Sequence, residues 1–444
     1  MKKIATLLIS LVIIISGCLT VSANTPKAIN TAAELMSINA SGNYYLAKDI
    51  TLNGNFTTLP TFSGTLDGRG KTISGLKIST TGSTATVYGG LFEKLDGGTV
   101  KNLTLKNVDI EISGGRTVYA GAVAGKIDSG SIFNCRVGGK ITAHEGNASI
   151  YIGGIAGKNL AEIYLCENYA LISAEGLHVI AGGVVGEHNR PDFEIKQCAN
   201  YGTVSASGRA DINYAGGIVG KTENSVSNCA NFGSVSLESE VNGYVGCITA
   251  EITQGKISTC FSGGILNCKA ATDAFSDPVA PLHKNSFSNN YYRDNVIKNL
   301  IPNEIKTGSA LDSKSALSAA VFSGFDFNNC WEMKNSTLTL RSITCPMPIS
   351  NEPDSTGSTG SSTTTSGNQT SSEPSTSDIA ESSPSQGDET TSAATSSLPD
   401  DKEPQYDFNF IIKNTPPIWI FVIIAVVLLA GVGVFLYFYE NRKK

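Results

Sequence analysis

The stretch "YAGGIVGKTENSVSNCANFGSVS", Tyr214 to Ser236, decides the fold because the chain repeats it. Upstream lie "YAGAVAGKIDSGSIFNCRVGGKIT" from Tyr119, "YIGGIAGKNLAEIYLCENYALIS" from Tyr151 and "IAGGVVGEHNRPDFEIKQCANYGTVS" from Ile180. A degraded copy, "VNGYVGCITAEITQGKISTCFSGGIL", begins at Val241. One cysteine per copy sets the period: Cys135, Cys166, Cys198, Cys229 and Cys260 are 31, 32, 31 and 31 residues apart. Leu103 lies 32 residues before Cys135 and Asn290 lies 30 after Cys260, which extends one register over about seven copies. Self-similarity at a fixed period signals a repeat architecture and outranks local readings.

Each copy is rich in Gly, Ser, Asn, Val and Ile, and stretches such as "GSVSL" alternate apolar with polar residues. Alternation indicates strands, and the Gly and Asn clusters indicate turns. A period near 31 fits three short strands and three turns per copy. The expected fold is all-β: a right-handed parallel β-helix (solenoid) of ~31-residue repeats, whose coils stack about 4.8 Å apart. A β-propeller is the competing architecture, but its blades need about 40–50 residues.

In a parallel coil, the five cysteines fall into an inward ladder of buried thiols in an apolar row. A thiol is a small, mostly buried hydrophobe. Metal sites favour close pairs such as Cys-x-x-Cys, which are missing here, so neither a metal nor a cofactor is expected. Asn134, Asn168, Asn200, Asn228 and Asn231 are expected to close turns, with their amides able to stack. Gly157, Gly186, Gly220 and Gly246 are expected to supply turn geometry that other residues would strain. Cys330 and Cys345, 15 apart, are the pair best placed for a disulfide; Cys247 and Cys268 form a weaker candidate.

The rest of the chain reads as an address and a tether. Residues 1–23 have the form of a signal peptide: Lys2 and Lys3, an apolar run, then Val21-Ser22-Ala23. Ile15-Ser16-Gly17-Cys18 is also similar to a lipobox, which leaves lipidation at Cys18 as the alternative to cleavage after Ala23. Residues 24–346 are the repeat ectodomain. Residues 347–416 are a Ser/Thr-rich linker with too few apolar residues to fold. Residues 417–439 hold 22 consecutive uncharged residues, Ile418 to Tyr439, long enough to span a bilayer. Residues 440–444 form a basic tail expected to stay inside. The tail resembles those of sortase-sorted wall proteins, but "LPDDK" at Leu398 lacks the threonine and glycine of the sorting motif. The expected location is the cell membrane, single-pass, with the repeats outside. The net charge of −6 argues against nucleic acid as a partner.

The GG-(I/V)-(A/V)-G-K pattern at Gly153–Lys158 and Gly216–Lys221 resembles the GLUG repeats of bacterial surface proteins. "GNYYLAKDITLNG…FSGTLDGRGKTISGL", Gly42 to Leu76, looks like the opening coil of such domains, and Gly324 to Arg341 is similar to their closing segment. The resemblance covers roughly residues 26 to 346. It implies a right-handed parallel β-helix on the cell surface and no single activity. Some members carry a zinc peptidase domain; here His144-Glu145 lacks the second His of a His-Glu-x-x-His site.

Two functions compete. The first is a non-catalytic adhesion module that binds an extracellular glycan or protein, with Tyr169, Tyr201 and Phe232, three residues after ladder cysteines, as candidate contacts. Tyr119, Tyr151 and Tyr214 form a second aromatic row. The alternative is a polysaccharide lyase or hydrolase. That reading needs clustered acidic and basic groups. Asp128, Glu162, Glu187 and Glu223 recur near the Gly-Lys motif but read as solvated turn residues, and His144, His178, His188 and His283 share no register. No catalytic residue is assigned.

Overall fold

The computed structural model describes residues 25–341 apart from 82–84, 191, 284–286, 297–306, 313, 315–316 and 336. The expected signal peptide, linker and membrane span, together with Cys18 and Cys345, lie outside the described residues, so the pairing of Cys330 with Cys345 does too.

The repeats form a parallel β-solenoid. The coil that starts at Val226 illustrates it. Val226–Ser227 lies in a first sheet of ten strands, and Thr249–Ile252 lies in a third sheet of seven. Between them Ala230–Asn231, Val235–Ser239 and Asn242–Gly246 cross the middle sheet, and Ile257 then stacks on Val226. Every pairing in the three large sheets is parallel. The three expected faces are present, but the middle one is broken into three segments. Asn200 shows why the first break forms. Its side chain accepts from Gly202 N at 3.2 Å and donates to Gly202 O at 2.9 Å, so it closes a local turn in place of the ladder.

Cys135, Cys166, Cys198, Cys229 and Cys260 are buried free thiols at equivalent positions. Their surroundings are not simply apolar. The Cys229 thiol donates to Ser227 O at 3.2 Å and Ile195 O at 3.7 Å, while its sulfur accepts from Cys198 N at 3.4 Å. Asn290 ends the ladder with the same pattern, accepting from Cys260 N at 3.0 Å and donating to Ile257 O at 2.9 Å. Cys247 and Cys268 are also free and buried, which removes the second candidate disulfide.

The residue before each ladder position turns the chain from the first sheet into the middle one. Asn102, Asn134, Leu165, Gln197, Asn228, Thr259 and Asn289 all have φ between 50° and 55°. Asn tolerates this left-handed conformation because its short amide bonds locally. Asn134 Nδ2 donates to Asn102 Oδ1 at 2.7 Å. A second amide ladder runs two residues after the cysteines: Asn168 Nδ2 donates to Asn200 Oδ1 and Asn200 Nδ2 to Asn231 Oδ1, both at 2.8 Å.

The expected role of Gly157, Gly186, Gly220 and Gly246 needs correction. None has a left-handed φ. They are small because backbone passes against them: a Cβ on Gly157 would lie 2.5 Å from Tyr151 O, and one on Gly246 1.9 Å from Thr249 O. The second glycine of each Gly-Gly pair also meets backbone, at 2.5 Å from Gly183 O for Gly154, 2.1 Å from Gly217 O for Gly183 and 2.0 Å from Cys247 O for Gly217, and meets an asparagine as well. A Cβ on Gly154 would lie 2.3 Å from Asn168 Oδ1, and one on Gly183 or Gly217 would lie 2.3 Å from Cγ of Asn200 or Asn231.

The solenoid is covered at its N-terminal end and along one flank of the middle sheet. A short helix, Ala32–Met36, buries Leu35 at the N-terminal side and is held by a capping box between Thr31 and Glu34. On the flank an antiparallel hairpin, Trp331–Lys334 with Thr337–Leu340, folds back on the middle sheet. Leu317, Phe322, Phe325, Trp331, Leu338 and Leu340 bury there against Ala199, Ala230 and Phe261.

Candidate functional site

The amide ladder aims the residue that follows it outward. Tyr169, Tyr201 and Phe232 therefore stand one above another. Tyr169 and Tyr201 stack at 4.5 Å and 7°, and Tyr201 and Phe232 at 4.9 Å and 6°. Phe261 continues the stack at 5.6 Å, tilted by 53°. Tyr201 and Phe232 are half-buried and pack against the C-terminal hairpin cluster. Their faces are taken up by neighbouring rings, so their edges alone remain.

Tyr169 differs. It is 50% exposed and stacks on one side only, against Tyr201. The coil on its other side places Gly138 opposite it, since Val137 pairs with Asn168. Around the Cβ direction of Gly138 the nearest side-chain atom is Tyr169 Cβ, 3.9 Å away. The outer face of the Tyr169 ring is thus open. Glu167, buried at 3% exposure, forms an ion pair with Arg136 beside it. Burial raises the Glu167 carboxyl above its ordinary range despite the guanidinium, which acts the other way. Burial, followed by the Glu167 charge, pushes the Tyr169 phenol up to about 12. Neither Arg136 nor Glu167 was singled out by the repeat. The signal was Glu167 itself, which stands where the next coils carry Ala199, Ala230 and Phe261.

Beyond Tyr169 the same coil continues outward through Leu171, 44% exposed, to Ser173. Ser173, Ser205, Ser236 and Asn267 stack in register, with Thr142 before them. Ser236 Oγ and Ser205 Oγ are 3.2 Å apart. This polar row lines a shallow groove of about 300 Å³ whose rim includes His144, Glu175 and Glu238.

The second aromatic row is longer than the sequence suggested: Tyr88, Tyr119 and Tyr151 stack at 5.6 and 5.0 Å, and Tyr214, Tyr244 and Phe275 at 5.7 and 4.9 Å. His178 bridges the gap, edge-on to Tyr151 and Tyr214 at 6.4 Å each. The glycine row of the third sheet backs on these strands, and next to it runs a charged row. Lys158 Nζ lies 2.7 Å from Glu187, and Lys221 Nζ lies 2.8 Å from Glu251. Lys94, Lys158 and Lys221 each sit over a tyrosine ring, at 5.0, 5.4 and 5.2 Å. Burial pushes the Tyr151 phenol up to about 12 and lowers His178.

The structure does not gather the acidic residues named from the sequence. Asp128 pairs with Lys126 at 2.5 Å, Glu162 with Lys196 at 3.1 Å and Glu187 with Lys158, on separate coils. Among the described residues, no group of three His, Cys, Asp or Glu side chains is placed to hold a metal ion.

No family model matches the sequence, and no curated protein matches it. Among solved structures, a "putative immunoglobulin A1 protease" from Bacteroides ovatus is similar, with 18% identity and a TM-score of 0.45. The similarity covers 72% of this chain and 93% of that one.

Proposed function

We infer that the chain is a cell-surface module that binds an extended extracellular glycan without processing it, held to the membrane by the apolar segment at residues 417–439 and lifted off by the linker at 347–416. The observation that carries this reading is the repetition of one outward surface in register. A hydroxyl or amide recurs on successive coils at Thr142, Ser173, Ser205, Ser236 and Asn267, beside the ring stack of Tyr169, Tyr201 and Phe232. A ligand that itself repeats can meet many such positions at once, and weak contacts then sum through effective concentration. Tyr169 contributes a ring face; Tyr201 and Phe232 support it from behind.

The test is binding of the full-length chain, in detergent or on cells, to immobilised polysaccharides and matrix proteins. Retention on a polysaccharide with no new reducing or unsaturated ends supports the reading. Release of such ends makes the chain a hydrolase or lyase, and retention on matrix proteins alone makes it a protein adhesin.

A further inference from the structure

We propose that the open face of Tyr169, together with Arg136 and Glu167, is a subsite for one neutral pyranose ring, the anchoring point of the glycan surface inferred above. The inference rests on that reading and goes further by naming the residues and the sugar class.

Three observations converge. First, Tyr169 is the terminal ring of its stack. A face-to-face stack satisfies both faces of every interior ring, but the last one keeps a face to offer. Gly138 leaves that face uncovered, and Tyr201 behind it, at 4.5 Å, fixes the ring orientation. Second, the polar groups beside the ring form an ion pair, with Glu167 almost fully buried. The partly exposed Arg136 guanidinium provides donors for two adjacent hydroxyls, and the buried Glu167 carboxylate holds it in place. Because the pair neutralises itself, it makes no demand for a charged ligand. A pyranose matches this layout: one face carries C–H groups for the ring, and its rim carries hydroxyls for the guanidinium. Third, Leu171 and the hydroxyl row starting at Ser173 continue outward along the same coil, so a chain anchored at Tyr169 has a polar path to follow. Successive outward positions on a strand are about 6.6 Å apart.

The site was built at the expense of the repeat. Elsewhere in this row Ala199, Ala230 and Phe261 seal against the C-terminal hairpin. Glu167 replaces that apolar pattern with a buried carboxylate, a costly substitution unless the partner is fixed.

The experiment uses the full-length chain in detergent and three soluble probes: β-mannan, β-galactan and xylan, with affinities measured by calorimetry. Tyr169→Ala is expected to weaken binding to the probe that binds best by about tenfold, the value of one aromatic contact. Tyr169→Phe is expected to stay within about threefold, because the ring face remains. Gly138→Leu is the decisive variant. Its position is open, so the fold is retained, and its side chain covers the ring face; binding should fall as far as in Tyr169→Ala. Arg136→Gln, which removes the guanidinium from the pair, should weaken binding to the probe that binds best. If a probe binds and both Gly138→Leu and Tyr169→Ala leave affinity unchanged, the subsite is wrong while the glycan reading stands. If no probe binds the unaltered chain, both fall.

Discussion

At the scale of single residues, the cysteine ladder was legible because one residue type recurs at one spacing; its chemistry was not. The sequence suggested an apolar row, yet each sulfur faces backbone carbonyls, as Cys229 faces Ser227 O and Ile195 O. A serine at 229 keeps a donor for those carbonyls and an acceptor for Cys198 N. Cys229→Ser should therefore cost only about 1 kcal/mol, and Cys229→Val, which takes the acceptor from Cys198 N, about 1–3 kcal/mol. Chemical denaturation of the two variants checks the order; a valine milder than serine would restore the apolar row. Thiol labelling of the native chain should leave the ladder unmodified, since all five thiols are buried out of reach of the reagent. His188 gives a second test. It is fully buried, its Nε2 donates to Phe193 O at 2.7 Å, and its Nδ1 accepts from Asn159 Nδ2 at 2.9 Å. Burial lowers its folded pKa. A lowered pKa means the unfolded chain takes up the proton first, so the contribution is complete above the unfolded value, about 6.5, and is lost as pH falls below it. His178 acts in the same direction, while Glu167 and Asp277, raised by burial, act in the opposite one. The comparison isolates the residue: between pH 7 and 5 the wild-type melting temperature should fall more steeply than that of His188→Gln. Parallel curves would remove His188 as the cause. The left-handed row was hidden from sequence reading because Leu165, Gln197 and Thr259 interrupt the asparagines that mark it.

At the scale of elements, the coil is held in register by complementary sizes. Gly154, Gly183 and Gly217 leave room for Asn168, Asn200 and Asn231. Where the amide is missing, its neighbour changes as well. Val137 precedes Asn168 in register, and Ala122 stands where Gly154 does. Ser262 follows Asn231, and Cys247 takes the place of the second glycine. The pattern was present in the sequence as Gly-Gly and Cys-x-Asn, but the partners sit at different points of the coil. Their contact needed the closed loop. Gly154→Ala alone should destabilise by about 1–3 kcal/mol through overpacking. Asn168→Val alone should cost a similar amount, because Asn200 Oδ1 and Ala170 O lose a donor. The double variant recreates the Ala122–Val137 arrangement of the preceding coil. It should be more stable than the sum of the single variants predicts by about 1 kcal/mol, as expected for residues in contact. A double-mutant cycle by urea denaturation measures this, and strict additivity would show that the backbone, not the side-chain pair, sets the clash.

At the scale of the whole repeat domain, the apolar surface that a stack of coils leaves open has to be covered for the solenoid to stay soluble. The N-terminal closure is local, and its helix, Ala32–Met36, lies outside the Gly42 to Leu76 stretch that the sequence reading singled out. The C-terminal hairpin lies inside the Gly324 to Arg341 stretch that was singled out, but where it docks was not legible. Its residues have no period, and the contacts of Trp331 and Phe322 with Ala199, Ala230 and Phe261 span dozens of residues. The physical content of this cap is a set of large side chains laid over an alanine-lined surface. Trp331 is fully buried, and its hairpin partner strand ends at Leu340. A two-stranded hairpin is marginal alone. Its order therefore depends on docking, whereas the coils beneath have parallel neighbours on both sides. The cap should unfold before the solenoid. In a Trp419→Phe background, which leaves Trp331 as the single tryptophan, the fluorescence transition in urea should precede the loss of β-sheet circular dichroism. Phe322→Ala, which removes a ring packed against Phe261 and Phe325, should move the fluorescence midpoint to lower urea by an amount equivalent to about 3–5 kcal/mol and leave the dichroism midpoint nearly in place. Coincident transitions in both proteins would mean that cap and coils form one cooperative unit. Undocking would then require melting the last coils, and the half-buried rings of Tyr201 and Phe232 would be exposed only when the solenoid itself unfolds.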